Sequence, residues 1–273
     1  MKPYTLGLYE KSMPDTLSFR EKLQCTADAG FDALEMSIDE SDARLERLHW
    51  SAAERTALLS VTREVGTYIN TICLSGHRKY PLGSNDPETA SRSMEIMEDA
   101  INLAYDLGVH IIQLAGYDVY YEPSDGDTEK RFGENLARSV DMAATRGIIL
   151  AMETMENDFM NTIEKAMVYV RQIQSPYLKV YPDIGNVTNA TNDVIGDIRS
   201  GTGHIAAAHL KETAPGVYRN MRFGEGHVDF AAATAALKQQ GVHMYTAEFW
   251  YLGNDDWRAE LHRAHDYLRP YLQ

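Results

Sequence analysis

The sequence predicts a single (β/α)8 barrel over residues 1–273. Three observations lead there. Short apolar runs recur eight times along the chain. Longer amphipathic stretches separate them, and several of these stop at a glycine. Finally, "LYEKSMP" (8–14), after the first run, is not the Gly-rich phosphate fingerprint that an open doubly wound sheet normally carries there. Repeated strand–helix alternation with right-handed crossovers is the sequence form of a barrel.

The first run is "YTLGLY" (4–9). After it, "TLSFREKLQCTADAG" (16–30) puts Leu17, Leu23 and Ala27 on one side and stops at Gly30, a C-terminal helix signal. "ALEMSI" (33–38) and "YINTICLS" (68–75) supply the second and third strands. A helix over 86–108 opens with Pro87 and Glu88 and closes at Gly108, just before "HIIQLAG" (110–116). Another closes at Gly147 and leads into "GIILAMET" (147–154). That fifth run shows water no polar residue from Ile148 to Met152, as suits a strand covered on both faces. It then ends in the carboxylate of Glu153. "YLKVYPD" (177–183), "HIAAAHLK" (204–211) and "MYTAEFW" (244–250) complete the set, with "DFAAATAALKQQG" (229–241) before the last. No linker or composition shift marks a second domain.

Composition narrows the function. The chain is 44% hydrophobic and 24% charged, with a net charge of -14. Such a balance repels nucleic acid and anionic lipid, so neither is an expected partner. An anionic ligand would need a local cluster of cations or a metal. The apolar runs are too short to span a membrane, and "MKPYTLGLYEK" lacks the apolar core of a signal peptide. Cys25 and Cys73 alone make no disulfide framework, which fits a cytoplasmic location.

In a (β/α)8 barrel, chemistry sits at the C-terminal ends of the strands. Glu153 ends the fifth, Asp183 the sixth, His209 with Lys211 the seventh, and Glu248 the eighth. Taken singly, each has an ordinary explanation. Glu153 could cap a helix, Asp183 could make an Asx-turn, and His209 could be a core histidine. Together they would bring three carboxylates and one imidazole to neighbouring strand ends. Like charges that close cannot all stay ionised without a cation. One divalent ion, Mn, Mg, Co or Zn, suits this ligand set. There is no HExxH and no zinc-finger spacing.

Several blocks carry a resemblance: "LGLYEKSMP", "FDALEMSIDESDARLERLHW", "CLSGHRKYPLGS", "IQLAGYDVYY", "LAMETM", "YPDIGNVT", "AHLKETAPGVYRNMRFGEGHVDF" and "AEFW". Over nearly the whole chain, the sequence resembles the L-ribulose-5-phosphate 3-epimerases, also called L-xylulose-5-phosphate 3-epimerases. These belong to the xylose-isomerase-like barrel superfamily. "AEFW" stands where relatives often have "EMW", with the Glu and Trp kept. The resemblance places metal ligands at Glu153, Asp183, His209 and Glu248. It implies 3-epimerisation of a ketopentose phosphate, with L-xylulose 5-phosphate in L-ascorbate breakdown as the expected setting.

Inverting a carbon next to a ketone requires a proton removed from one face and another delivered to the opposite face. Glu153 and Glu248 are the expected acid/base pair. Phosphate candidates are Lys11, Arg78, Lys211 and Arg222, whereas Lys79 reads as a solvated cation. His77 could hydrogen-bond a sugar hydroxyl. Tyr9, Tyr117, Tyr120 and Trp250 could wall the sugar, and Glu225 could cover the site from its Gly-flanked loop. Glu156 reads as a solvated or supporting carboxylate. A homodimer is left open. Alternatives are an aldose–ketose isomerase or a non-phosphorylated ketose 3-epimerase on the same scaffold. A sugar-binding protein without catalysis, or a DNA-repair endonuclease, fits less well.

Overall fold

A computed structural model describes residues 3–273. Eight parallel strands form one sheet in the order β6-β5-β4-β3-β2-β1-β8-β7. They are β1 (Thr5–Tyr9), β2 (Ala33–Ile38), β3 (Tyr68–Leu74), β4 (Ile111–Ala115), β5 (Ile149–Glu153), β6 (Leu178–Tyr181), β7 (Ala208–Leu210) and β8 (Met244–Ala247). Isolated parallel bridges, Val180–Ile205 and Asp183–His209, bring β6 and β7 together and nearly close the barrel.

Helices α1 (Phe19–Asp28), α2 (Asp42–Leu45), α3 (Ala52–Val65), α4 (Pro87–Leu107), α5 (Gly126–Arg146), α6 (Ile163–Ile173), α7 (Ile184–Ala190), α8 (Val194–Ser200), α9 (Phe230–Gln239) and α10 (Trp257–Leu272) make up the connections. Their ends follow local chemistry. Ser18 with Glu21, and Ser51 with Glu54, form capping boxes at α1 and α3. Asp86 caps α4 ahead of Pro87. Gly30, Gly108, Gly147 and Gly241, the four predicted stops, all take positive φ. Apolar side chains such as Ile96, Met97, Leu136 and Val140 pack the helices onto the outer face of the sheet.

The barrel interior is partly polar. Glu35, Thr71, Gln113, Tyr181 and Thr246 are fully buried. At β2–β3 the register shifts between Leu34 and Glu35, so Asn70 is an extra residue on β3 and Glu35 pairs with Thr71. Such a bulge re-aims side chains.

The structure shortens seven of the eight predicted strands and leaves only the second, 33–38, with its predicted bounds. The sixth and seventh are 178–181 and 208–210, because their neighbouring ends meet only through isolated bridges. The eighth stops at Ala247; Glu248 still donates its backbone N–H to the Leu210 carbonyl at 2.9 Å, and Glu248 and Trp250 line the mouth. The connection after β6 holds two short helices, α7 and α8, in place of a single crossover helix before β7.

Candidate active site

Glu153 is the last residue of β5, Asp183 follows β6, His209 lies in β7 and Glu248 follows β8. All four are buried, and one ligand atom from each lies within 4.8 Å of the others. Donors that share one divalent ion with bonds of about 2.1 Å lie no more than about 4.2 Å apart, so a contraction of a few tenths of an ångström would let the four residues hold one ion.

His209 Nδ1 is 2.7 Å from Glu153 Oε1 and 3.4 Å from Glu248 Oε2. Asp183 makes the predicted turn and also faces the cluster. Its Oδ1 accepts from the Asn186 backbone N–H at 2.9 Å, capping α7. Its Oδ2 lies 2.5 Å from Lys211 Nζ, inside the cluster. Gln113 donates to Glu153 from β4.

The electrostatics suit a cation. Burial raises the pKa of Glu153 against the help of His209. Burial also pushes Asp183 up to about 7, with the Lys211 ammonium opposing the shift and Glu248 adding to it. Burial opposes charge on His209, but Glu35, Glu248 and Glu153 outweigh it and raise its pKa well above the usual value. For Lys211 the same contest is won by Asp183, Glu248 and Glu153, so it stays an ammonium. Glu248 Oε2 is buried and accepts no hydrogen bond from the described residues. Three crowded carboxylates with an unsatisfied oxygen, beside one imidazole, can hold a divalent ion.

A small cavity of about 50 Å³ opens over the cluster. Tyr9, Lys11, Arg78, Lys211 and Trp250, all sequence candidates, line it. Lys11 pairs with Asp39, whereas the buried Nε of Arg78 has no hydrogen-bond partner. The Arg78 guanidinium lies 5.6 Å from the Tyr117 ring and 5.0 Å from that of Tyr120. Tyr117 in turn donates to Glu156 Oε2 at 2.7 Å. Glu156 also lines the cavity. Despite burial, its pKa is lowered by Tyr117, Arg219 and Lys211.

Three candidates are elsewhere. His77 is buried against α4, with Nε2 3.0 Å from the Ser93 carbonyl oxygen, and burial lowers its pKa to about 4. It is therefore a neutral donor to a helix carbonyl, turned away from the mouth. Arg222 pairs with Glu260 at 2.7 Å and, with Glu225, lines a separate cavity of about 810 Å³ beside α10. Only Trp250 among the sequence candidates lines both cavities.

Two residues near the site escaped the sequence reading. Arg219, in the irregular loop after β7, lines the mouth, lies 3.7 Å from Glu156 and sits 5.4 Å from the Trp250 ring. No local signal separates it from other loop cations. Glu35 touches His209 from below, and the signal available was a lone carboxylate inside an apolar run.

The fold and the strand-end cluster define a barrel of the xylose isomerase type, and the chain belongs to that family: the xylose isomerase-like TIM barrel family model matches residues 23–271. Within it, the chain is 45% identical over 269 residues to the L-ribulose-5-phosphate 3-epimerase UlaE of Salmonella paratyphi C (strain RKS4594), covering 98% of this chain and 95% of that protein. It is 44% identical to UlaE of Escherichia coli O139:H28, with the same coverage. Among solved structures, D-psicose 3-epimerase from Clostridium cellulolyticum H10 has the same fold, with a TM-score of 0.80 at 18% identity, covering 98% of this chain and 99% of that one.

Proposed function

We propose that this protein interconverts L-ribulose 5-phosphate and L-xylulose 5-phosphate by inverting C3, using Glu153 and Glu248 as opposed acid and base. The chain is a carbohydrate epimerase by its 44–45% identity to the UlaE epimerases across 98% of its length. The finer reading rests on one observation: two buried Glu carboxylates from β5 and β8 converge on one His and one Asp at the barrel mouth.

Glu153, Asp183, His209 and Glu248 would hold a divalent ion, which would supply Lewis-acid polarisation of the ketone and so favour an enediolate. The protein's own groups do the rest. One Glu takes the C3 proton from one face, and the other delivers a proton to the opposite face. Lys211, buried beside Asp183 and Glu248, offers a fixed positive charge next to the developing oxyanion. Arg78, Lys11 and Arg219 form the cationic rim for the phosphate, with Arg78 favoured because its Nε is unpaired. Tyr9 and Trp250, with ring centroids 6.0 Å apart, would wall the sugar. A cavity of about 50 Å³ holds only a few waters. Substrate entry therefore requires wall side chains to move, and Arg219, with its side chain 42% exposed, is held there only by its 3.7 Å pairing with Glu156 and by the Trp250 ring. L-ascorbate breakdown in the cytoplasm is the expected setting.

The test is conversion of L-ribulose 5-phosphate by purified protein, before and after chelation, with products identified by NMR. Epimerisation lost with chelator and restored by Mn is the expected result. An aldopentose product would instead make it an aldose–ketose isomerase.

A further inference from the structure

His209 is gripped from two sides. Nδ1 faces the cluster, whereas Nε2 lies 2.7 Å from Glu35 Oε1. Glu35 is on β2, fully buried in the barrel interior below the mouth. Its other oxygen, Oε2, accepts from Thr71 Oγ1 at 2.7 Å and from the Tyr181 hydroxyl at 3.1 Å. Tyr181 is itself 2.9 Å from Thr246 Oγ1. Side chains from β2, β3, β6 and β8 thus fix one carboxylate under one imidazole. The extra residue Asn70 on β3 sets Glu35 opposite Thr71 and so belongs to the same device.

We propose that Glu35 is a positioning residue: it holds the Nε2–H of His209 and thereby aims the Nδ1 lone pair at the ion bound by Glu153, Asp183 and Glu248. The proposal rests on the metal reading of that cluster. An imidazole nitrogen binds a cation only through a free lone pair, so the ring's one proton must sit on the other nitrogen. A carboxylate accepting that proton fixes the tautomer and the ring orientation and raises the basicity of the ligating nitrogen. Glu35 makes no direct claim on the ion, because both of its oxygens are already occupied by donors.

Two measurements test this. The first is calorimetric titration of chelator-stripped protein with Mn²⁺, for the unchanged chain, Glu35→Gln and His209→Ala. Glu35→Gln keeps the shape but removes the charge, and Mn²⁺ affinity should fall roughly 10–100-fold. The second is a long-range ¹H–¹⁵N spectrum of the unchanged, ¹⁵N-histidine-labelled protein loaded with diamagnetic Zn²⁺. It should show His209 with Nε2 protonated and Nδ1 coordinated, and it decides the matter even if Glu35→Gln does not fold. Suppose Glu35→Gln binds Mn²⁺ as the unchanged chain does while His209→Ala does not, or Nε2 proves to be the coordinated nitrogen. The positioning role is then overturned and the metal site stands. If the unchanged protein binds no Mn²⁺, the metal reading itself fails.

Discussion

At the scale of single residues, the side chains around the mouth carry separate chemical duties. Replacing Glu153 or Glu248 with Gln removes the proton acceptor with little change of shape. Either change should lower epimerisation by at least about 100-fold, measured as kcat. Arg78→Ala should mainly raise KM for the phosphorylated sugar, lowering kcat/KM about tenfold or more if it contributes a charge-assisted contact of roughly 1.5–3 kcal/mol. Arg222→Ala should leave both constants nearly unchanged, since its partner is Glu260, outside the mouth. The reverse ranking would move the phosphate to the neighbouring cavity. The four clustered residues were legible in the sequence because each follows an apolar run at a strand end. Glu35 was not, because alternation along a strand cannot distinguish an inward carboxylate with three donors from one facing a helix. His77 misled for a related reason: its place after β3 is at the correct end of the barrel, but its ring turns into α4.

At the scale of elements, the loops after β1 and β2 are tied by one buried ionic knot. Glu10, in a 3₁₀ turn after β1, is fully buried and meets Lys22 Nζ at 2.6 Å, Arg47 at 2.6 Å and Arg44 at 3.1 Å. It also accepts from the Ser37 backbone at 2.9 Å. Burial would raise its pKa, but Arg47, Lys22 and Arg44 together lower it to about 2. The folded pKa thus lies below the ordinary carboxylate value. The resulting stabilisation is full above about pH 4.5 and is lost as pH falls toward 2, and the shift corresponds to about 3 kcal/mol. Glu10→Gln leaves buried cations short of charge and should cost about 3–5 kcal/mol at pH 7, read from urea unfolding. The gap between Glu10→Gln and the unchanged chain should narrow at pH 3; a gap independent of pH would show that the knot is not electrostatic. The loop after β7 is held by a different device. Glu212 accepts backbone N–H groups of Gly224 and Val228, and a Cβ on Gly226 would come within 2.1 Å of the Thr213 carbonyl oxygen. Gly226→Ala should therefore displace that loop, and Arg219 with it, raising KM more than it lowers thermal stability. Eight strands and four glycine stops could be read from periodicity and punctuation. The knot and the Glu212 clasp could not, since they join residues distant in sequence.

At the scale of the whole molecule, a chain with a net charge of -14 concentrates Lys11, Arg78, Lys211 and Arg219 around one mouth above four side chains that could hold a metal ion. Among the described residues no helix is long and apolar enough to cross a membrane. The barrel was predictable because strand–helix alternation is global, while the mouth's walls are loops whose paths depend on packing. Chelation should abolish turnover without unfolding the barrel, as followed by circular dichroism, because the hydrophobic layer between sheet and helices does not involve the cluster. The central claim is inversion at C3 by two opposed carboxylates. It is tested most directly by turning over L-ribulose 5-phosphate in D2O with the metal-loaded enzyme and following C3 by NMR from the first time points. The account predicts L-xylulose 5-phosphate carrying deuterium at C3 from the outset, since the proton delivered is not the one removed. Product that retains the original C3 proton would contradict it.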